Sequence, residues 1–444
     1  MNARIAILGA GISGLSAGYE LVKAGFNPTI FERESFPGGR MSSEEVDGFI
    51  VEKAAYTFPE YHKNLMRFLG ELGMEDSLVQ TPGTSSTFTS GEEHRIKIGS
   101  PKDFLRYKLL SVKNKKDMVK LFLYAQSLGK ALNLANPSEK TFELEKESAS
   151  QYLLRNYDEA ILEYIAYPLF CEIFLGTPEH NSKLAFLATL KNLTRFKIFS
   201  FHKGMGMLPK RLMNHLDVRL NTPVLRVCSR GRKGPYKVHI GGLKPESLTF
   251  DAVIFAIPLP LVPGIIDKLP STVKSSLKDI QYAPSVVVAL AVDKRYTGGS
   301  MINNLVRKYF SIVGTVVLDH LKGPDRIPGG KGLITAILTE HASRAWSREA
   351  EHIIVNGVLK EVESLFPGLS DNLIFSRVYR WEHGAVQLQP GALLKQDSAL
   401  RALEHQFHDI YFAGDGLHRS SLEASFNSGI RAAHLIIERM GTHA

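Results

Sequence analysis

The sequence predicts an α/β protein with more than one domain, and three observations support this architecture. The chain has 444 residues, more than one compact core usually organises. Near the N-terminus, a short apolar strand, a glycine-rich turn, an amphipathic helix and a second strand follow one another. Hydrophobic residues make up 44% of the chain and charged residues 22%, which is typical of globular proteins. We therefore expect an α/β domain at the N-terminus and at least one further domain.

The N-terminal pattern begins with a strand over residues 4–8 that runs directly into glycines 9, 11 and 14. The following helix ends at Gly25, and a second strand over residues 29–31 closes with Glu32. Glu32 follows Gly14 by 18 residues. In a dinucleotide-binding βαβ unit, the acid that binds the ribose hydroxyls follows the glycine motif by about 20 residues. This order of elements predicts a dinucleotide site.

Each position of the glycine motif has a physical role in such a site. Gly9 permits the tight turn, and Gly11 lets the backbone approach a pyrophosphate. Ile12 and Ser13 open the helix whose N-terminus stabilises the phosphate charge, and Gly14 lets that helix pack closely on the strand. An acid at position 32, where an arginine could have stood, disfavours a nucleotide that carries a 2′-phosphate.

Composition excludes several other classes of protein. Cys171 and Cys228 are the only cysteines, so neither a disulfide framework nor a Cys-x-x-Cys metal site is expected, and no metal is predicted. The net charge is +9, but no nucleic-acid-binding motif accompanies it. The longest apolar run, residues 253–266, contains three prolines and is too short to span a bilayer. We expect a cytoplasmic protein, with a peripheral position on the inner membrane face left open.

The residues after Glu32 distinguish FAD from NAD. The sequence Pro37-Gly38-Gly39-Arg40 resembles the Gly-Gly-Arg signature of the FAD-dependent amine oxidase superfamily. The resemblance implies FAD as the cofactor, with the glycines lying against it and Arg40 meeting its phosphates. It also places Arg33, beside the ribose-binding acid, among the cofactor-binding residues.

The resemblance continues to the C-terminus. Residues 48–58 resemble the Gly-Phe-x-x-Asp-x-Gly-x-x-x-Phe stretch near the flavin, with Glu52 and Ala54 replacing the aspartate and the second glycine. Residues 203–209 resemble the Gly-Gly-Met-x-x-Leu-Pro element, and residues 251–258 the Asp-x-Val-Ile-x-Ala-x-Pro strand. Val224 is the candidate whose backbone contacts the adenine.

At the C-terminal end, the strand 410–412 leads to Gly414 and Asp415, and the resemblance implies that this acid binds the ribityl chain. A final helix then opens in the segment that contains Ser421, Leu422 and Ser425, with its N-terminus facing the flavin ring.

The resemblance implies a Rossmann-type FAD-binding domain assembled from three segments and a mixed α+β substrate domain with a helical insertion. The FAD-binding segments are 1–80, 198–262 and 405–444. The substrate segments are 81–100 and 263–404, and the insertion, which could touch a membrane, is 101–197.

Within the superfamily, the protoporphyrinogen oxidase and carotenoid (phytoene) desaturase branches agree best with residues 109–113, 152–178 and 379–388. The amine-oxidising branch agrees less well. Leu417 and His418 stand where its cage tyrosine is sought, and Lys294 is the nearest candidate for its flavin-side lysine.

The expected reaction is hydride removal from a hydrophobic, conjugated substrate, with dioxygen or a quinone as the electron acceptor. No catalytic base is identified by the sequence. Activity as a carotenoid or isoprenoid desaturase or as an amine oxidase remains open. So do a NAD-dependent dehydrogenase and a non-catalytic, FAD-stabilised binding protein.

Residues 102–120 carry seven Lys or Arg against two Asp. An apolar stripe at helical spacing overlaps this segment: Met118, Leu121, Phe122, Ala125, Leu128 and Leu132. The pattern is compatible with a helix on anionic lipid and equally with a core-facing stripe that has a solvated back.

Overall fold

The computed structural model describes residues 3–134, 137–193, 197–229, 235–417 and 420–441. It forms two compact units, each built from separated parts of the chain. The first unit comprises Met1–Ser43, Met205–Gln281 and Ala392–Ala444. The second comprises Glu44–Gly204 and Tyr282–Gly391.

The strands of the described residues are β1 (Arg4–Leu8), β2 (Asn27–Phe31), β3 (Ser43–Val46), β4 (Phe49–Glu52), β5 (Phe58–Pro59), β6 (Leu78–Thr81), β7 (Thr84–Phe88), β8 (Glu93–Lys97), β9 (Ile198–Phe201), β10 (Asp217–Arg219), β11 (Val224–Ser229), β12 (Tyr236–Ile240), β13 (Glu246–Phe250), β14 (Ala252–Phe255), β15 (Tyr282–Val292), β16 (Ile302–Leu305), β17 (Val313–Leu318), β18 (Gly332–Leu338), β19 (Leu373–Val386) and β20 (Ile410–Phe412).

The α-helices are α1 (Ile12–Lys23), α2 (Lys63–Glu71), α3 (Pro101–Arg106), α4 (Val112–Ser127), α5 (Glu139–Leu144), α6 (Ala149–Asn156), α7 (Glu159–Ile161), α8 (Tyr167–Phe174), α9 (Lys183–Leu190), α10 (Met207–Met213), α11 (Val262–Ile265), α12 (Ser271–Lys278), α13 (Glu340–Trp346), α14 (Glu351–Val362), α15 (Ala392–Gln406) and α16 (Leu422–Gly441). A π-helical turn, Leu162–Ala166, joins α7 to α8.

The first unit is organised by a parallel sheet with the strand order β10-β2-β1-β14-β20. All three chain segments of the unit contribute strands to it. The residues of β14 and the last four of β1 are buried, as expected for central strands that have both faces covered. An antiparallel sheet, β11-β12-β13, belongs to the same unit.

Glycines allow α1 to pack closely against its neighbours. A Cβ at Gly14 would lie 2.0 Å from the carbonyl oxygen of Gly9 and 3.2 Å from the Cβ of Ala256, which follows β14. A Cβ at Gly429 in α16 would lie 2.0 Å from the carbonyl oxygen of Ser13. Any larger residue at these positions would separate elements that meet here.

The second unit contains a mixed seven-stranded sheet with the order β19-β15-β18-β17-β16-β7-β8. Only the β16–β7 pair is parallel among the described strands of this sheet. Its apolar core lies between strands β15, β17 and β18 and helix α14. A smaller sheet, β5-β9-β6, and helices α2 to α9 and α13 also belong to the unit.

The unit boundaries differ from the predicted domain boundaries. The first lies at Ser43 and not at 80, because β5 and β6 pair with β9 and because Phe49 and Val51 pack with Leu333. The helices of residues 101–193 belong to the second unit. The first unit extends to Gln281 and resumes at Ala392, since α12 and α15 pack together.

The apolar stripe of α4 is core in the structure. Met118, Leu121, Ala125, Leu128 and Leu132 are all buried, and Phe122 is half-buried. In the described ranges, no helix has the length and apolar character needed to cross a membrane.

Candidate functional site

The glycine motif of the first unit forms a turn that leaves the start of α1 open. Gly9 has a φ of 101°, in the left-handed region that favours glycine, and its N–H donates to the Phe31 carbonyl oxygen at 2.8 Å. Gly11 precedes α1 and supplies no side-chain cap, and a Cβ at this residue would meet no atom within 4 Å. Because the first N–H groups of a helix lack intrahelical acceptors, the helix terminus at Ile12 and Ser13 is of the kind that can bind an anion.

Glu32 lies next to this turn and is held by backbone groups. Its two carboxylate oxygens accept hydrogen bonds from the N–H groups of Ala10 at 2.7 Å and Glu34 at 3.0 Å. The side chain is buried, and burial raises the pKa of Glu32 although both hydrogen bonds lower it. Each oxygen retains a lone pair for a ribose hydroxyl. Arg33 is different: its exposed guanidinium pairs with the Glu34 carboxylate at 3.1 Å.

The segment before Val224 is hydrogen-bonded to the segment of Glu32. The N–H of Thr222 donates to the Glu32 carbonyl oxygen at 2.7 Å, and that of Asn221 to the Glu34 carbonyl oxygen at 3.0 Å. Val224 opens β11 two residues later and is half-buried. The structure therefore brings the predicted adenine and ribose contacts to neighbouring positions.

The second glycine pair lies beside the first turn. The N–H of Gly38 donates to the Ala10 carbonyl oxygen at 2.7 Å, and Gly38 forms an isolated bridge with Gly11. Gly38 and Gly39 have φ values of 100° and 51°. The two loops that the sequence predicts to face the phosphates are thus in contact with each other.

Arg40 and Asp415 meet directly. The guanidinium donates to both carboxylate oxygens, at 2.7 and 3.0 Å, and forms a bidentate ion pair. The Asp415 side chain is 4% exposed and that of Arg40 30% exposed. The sequence predicts separate roles for the two residues, and the structure brings them together at one position.

The loop before Asp415 is anchored to the first turns of α16. Gly414 has a φ of 126°, and its N–H donates to the Ser428 hydroxyl at 2.8 Å. The Ser421 hydroxyl accepts from the Ala424 N–H at 3.0 Å, so it caps the helix that begins at Leu422. The Ser425 carbonyl oxygen accepts from the Ser428 hydroxyl.

These groups fit a flavin dinucleotide. The open terminus of α1, the space above Gly11 and the Arg40 guanidinium suit a pyrophosphate, and the Glu32 carboxylate suits a ribose. Asp415 offers a carboxylate to a polyol chain, and α16 begins close to it. These groups suit the ribose, the pyrophosphate and the polyol chain of FAD.

Comparison with known proteins decides the family. The sequence profile described as flavin containing amine oxidoreductase matches residues 12–437. The chain belongs to this family. It is an oxidoreductase whose cofactor is FAD.

The similarity extends over nearly the whole chain. Protoporphyrinogen oxidase 2, chloroplastic/mitochondrial, of Arabidopsis thaliana is 22% identical, covering 98% of this chain and 94% of that protein. Zeta-carotene desaturase of Synechocystis sp. is 23% identical, covering 98% and 97%. A crystal structure of an Exiguobacterium sp. 255-15 protein, provisionally named protoporphyrinogen oxidase, superposes with a TM-score of 0.77 at 20% identity, covering 100% of both chains.

The second unit contains a group of buried charges that the sequence did not predict. Glu52, which replaces the usual aspartate, pairs with Arg326, and each side chain is 1% exposed. Lys322 pairs with Asp319 at 2.5 Å, with both side chains fully buried. In the sequence, only the replacement of the family's aspartate by Glu52 pointed to this group, because the partner Arg326 lies 274 residues away.

Three residues were candidates for roles in the amine-oxidising branch, and the structure describes two of them. Lys294 is exposed, and its ammonium lies 4.9 Å from the Tyr296 ring centroid. Leu417 is buried, and His418 lies outside the described residues.

Proposed function

We propose that this FAD-dependent oxidoreductase removes hydride from a hydrophobic, conjugated substrate of the porphyrinogen class. The observation that carries the proposal is the end-to-end similarity to a protoporphyrinogen oxidase, which covers 98% of this chain. The exposed position of Lys294 favours this reaction over amine oxidation, which uses a lysine beside the flavin according to the resemblance. Desaturation of a carotenoid is the second candidate, because zeta-carotene desaturase matches over the same length.

In this proposal the first unit is the three-segment, Rossmann-type FAD-binding domain. The start of α1 at Gly11, Ile12 and Ser13 would hold the pyrophosphate, with Gly38, Gly39 and Arg40 beside it. Glu32 would bind the ribose, the backbone of Val224 the adenine, and Asp415 the ribityl chain. Bound FAD supplies the two-electron acceptor chemistry. The second unit would bind the substrate.

We further propose dioxygen as the electron acceptor, with a quinone as the alternative. A purified, FAD-loaded sample should be mixed anaerobically with protoporphyrinogen, ζ-carotene or putrescine while the visible flavin absorbance is recorded. Bleaching by protoporphyrinogen, and recovery of the absorbance when air is admitted, is the expected result. Bleaching by putrescine alone would replace the proposal by an amine oxidase, and bleaching by none would favour a non-catalytic role. Recovery with a soluble quinone but not with air would identify the quinone as acceptor.

We also propose that the second unit rests on an anionic membrane surface through α3 and α4. The stripe of α4 considered from the sequence is core, but a different row of this helix is exposed: Val112, Lys116, Val119 and Leu123. Spacings of four, three and four residues put this row on one helix face. Leu105 in α3 is also 68% exposed, and Lys108 and Lys113 lie beside these apolar residues in the chain. Exposed apolar residues among lysines are typical of interfacial helices.

A further inference from the structure

Helix α16 of the first unit carries a buried serine to which the proposed function gives no role. Ser428 is 4% exposed. Its hydroxyl donates to the Ser425 carbonyl oxygen at 2.6 Å and accepts from the Gly414 N–H at 2.8 Å. A hydroxyl has one hydrogen, so the bond to Ser425 occupies it and leaves the oxygen to accept from Gly414. Ser428 therefore joins α16 to the loop that leads to Asp415.

This loop is fixed at consecutive residues, and we call residues 413–415 the acid loop. The Ala413 N–H donates to the carbonyl oxygen of the last residue of β14 at 2.9 Å. Gly414 then adopts a φ of 126°, and its N–H donates to the Ser428 hydroxyl. Asp415 follows directly in the chain. The bond to Ser428 therefore holds the backbone immediately before the acid.

The part of α16 that carries Ser428 is itself fixed against α1. A Cβ at Gly429 would lie 2.0 Å from the Ser13 carbonyl oxygen, so the two backbones are in close contact here. The Ser16 hydroxyl donates to the Phe426 carbonyl oxygen at 3.0 Å. Ser428 thus connects the acid loop to a segment of α16 that is held against the helix proposed to bind the pyrophosphate.

Loss of the Ser428 hydroxyl would release the acid loop and leave the helix intact. Alanine has a higher helix propensity than serine, so Ser428→Ala suits α16. Gly414 is partly exposed, and water can replace its lost acceptor, which keeps the cost to folding small. The glycine then has no side chain to restrict its backbone. We therefore expect the substitution to act on the position of the acid loop more than on the fold.

We propose that Ser428 is a positioning residue for FAD that acts through Asp415. This rests on the proposed function, in which Asp415 binds the ribityl chain. Ser428 fixes the backbone before Asp415 and Arg40 fixes its carboxylate, so the carboxylate is in place before the cofactor binds. A group that is ordered beforehand loses less conformational entropy on binding. Ser428 therefore contributes to the affinity for the flavin half of FAD and not to the affinity for its ADP half, which the proposal assigns to Gly11 and Glu32.

The test compares FAD with ADP, which lacks the ribityl chain and the flavin ring. Purified holoprotein is diluted to equilibrium with and without ADP, and the released flavin is measured. Dilution alone gives the Kd of FAD, and the additional release gives the Kd of ADP. Ser428→Ala should raise the Kd of FAD about tenfold and leave the Kd of ADP within about twofold of the wild-type value.

Two control variants accompany this measurement. Glu32→Gln removes the carboxylate proposed for the ribose of the ADP half, so it should raise both Kd values. Ser398→Ala removes an exposed hydroxyl of α15 in the same unit, which donates to the Leu394 carbonyl oxygen at 2.9 Å. It should change neither Kd value.

The outcomes separate this inference from the proposed function. Equal losses of FAD and ADP affinity in Ser428→Ala would mean that Ser428 supports only the fold, and unchanged values for both would mean that it positions nothing. Either result overturns the inference. Ser428→Cys keeps the size of the side chain but offers a weaker acceptor, so its Kd of FAD should lie between those of the wild type and Ser428→Ala. It is judged by the same criteria if the alanine variant does not fold. A wild type from which ADP displaces no FAD would overturn the proposed cofactor site and this inference with it.

Discussion

The Arg40 guanidinium and the Asp415 carboxylate form two hydrogen bonds, 2.7 and 3.0 Å long, although 375 residues separate them in the chain. The pair joins the first and third chain segments of the first unit. It also places a phosphate-binding cation and a ribityl-binding anion of the proposed site at one position. FAD binding and the docking of the C-terminal segment are therefore expected to depend on each other.

Asp415→Asn should weaken FAD retention and destabilise the cofactor-free protein. Breaking a charge-assisted pair of this kind costs about 1–3 kcal/mol, and the partial exposure of Arg40 favours the lower end. Thermal unfolding with and without FAD, together with the flavin-to-protein ratio, measures both effects. Asp397→Asn is the matched control, since Asp397 pairs with Arg401 at an exposed position of the same unit. Equal losses in the two variants would contradict a special role for Arg40 and Asp415.

Gly11→Val should fold normally and contain no FAD. Gly11 has a φ of −68° and a ψ of 173°, which valine adopts readily, and a Cβ there meets no protein atom within 4 Å. The added side chain would occupy the space proposed for the pyrophosphate. Circular dichroism and flavin absorbance of the purified variant provide the measurement.

Gly14→Val is the contrasting variant. A Cβ at Gly14 would lie 2.0 Å from the Gly9 carbonyl oxygen, so this substitution should disrupt the fold itself. A Gly11→Val protein with normal flavin content would refute the nucleotide-site assignment.

The sequence could predict the features that local chain geometry determines. The turn at Gly9, the start of α1 and the burial of β1 depend on neighbouring residues, and all are present in the structure. It could not predict the contact of Tyr56 with Glu172 or the pair of Glu52 with Arg326. These partners lie 116 and 274 residues apart, and only the assembled fold brings them together.

The α4 helix shows a second limit of prediction from sequence. Its periodicity indicates an apolar face, but the same spacing fits a core and a membrane surface. Burial of Met118 and Leu121 assigns that face to the core. The exposure of Val112 and Val119 shows a second apolar row, on the opposite side of the helix, that the periodicity did not indicate. Periodicity identifies a face and cannot identify what covers it.

Glu172→Gln should change the pH dependence of stability. Enclosure by protein raises the pKa of Glu172, a residue of α8, from its ordinary value of 4.5 to about 7 in the folded state. The folded state therefore binds more protons between these values, and wild-type stability falls as the pH rises from 4.5 to 7. The neutral amide of the variant does not titrate, so its stability lacks this fall. Above pH 7 the free energy of unfolding of the variant should exceed that of the wild type by up to about 3 kcal/mol, and near pH 4.5 the two should be equal. Melting temperatures across this range are the measurement, and a difference independent of pH would exclude the shifted titration.

Reversing Lys108, Lys113 and Lys116 to glutamate should release the protein from acidic vesicles. Each lysine near an anionic surface contributes about 1 kcal/mol, so the loss should exceed 100-fold in partitioning. Lys115 is left unchanged, because its ammonium donates to the Leu105 carbonyl oxygen at 2.8 Å and so supports the end of α3. FAD content and melting temperature should stay at wild-type values.

A flotation assay with vesicles of phosphatidylserine and phosphatidylcholine at moderate salt measures this release. Reversing Lys268, Lys274 and Lys278, three exposed lysines at and near α12, changes the net charge equally on the other unit and should preserve binding. Val119→Ser with Leu123→Ser should weaken binding while leaving the charge intact, because both side chains are more than half exposed and would enter the interface. If the two charge reversals release the protein equally, binding reflects net charge alone. If the wild type does not float, α3 and α4 form only a solvated surface.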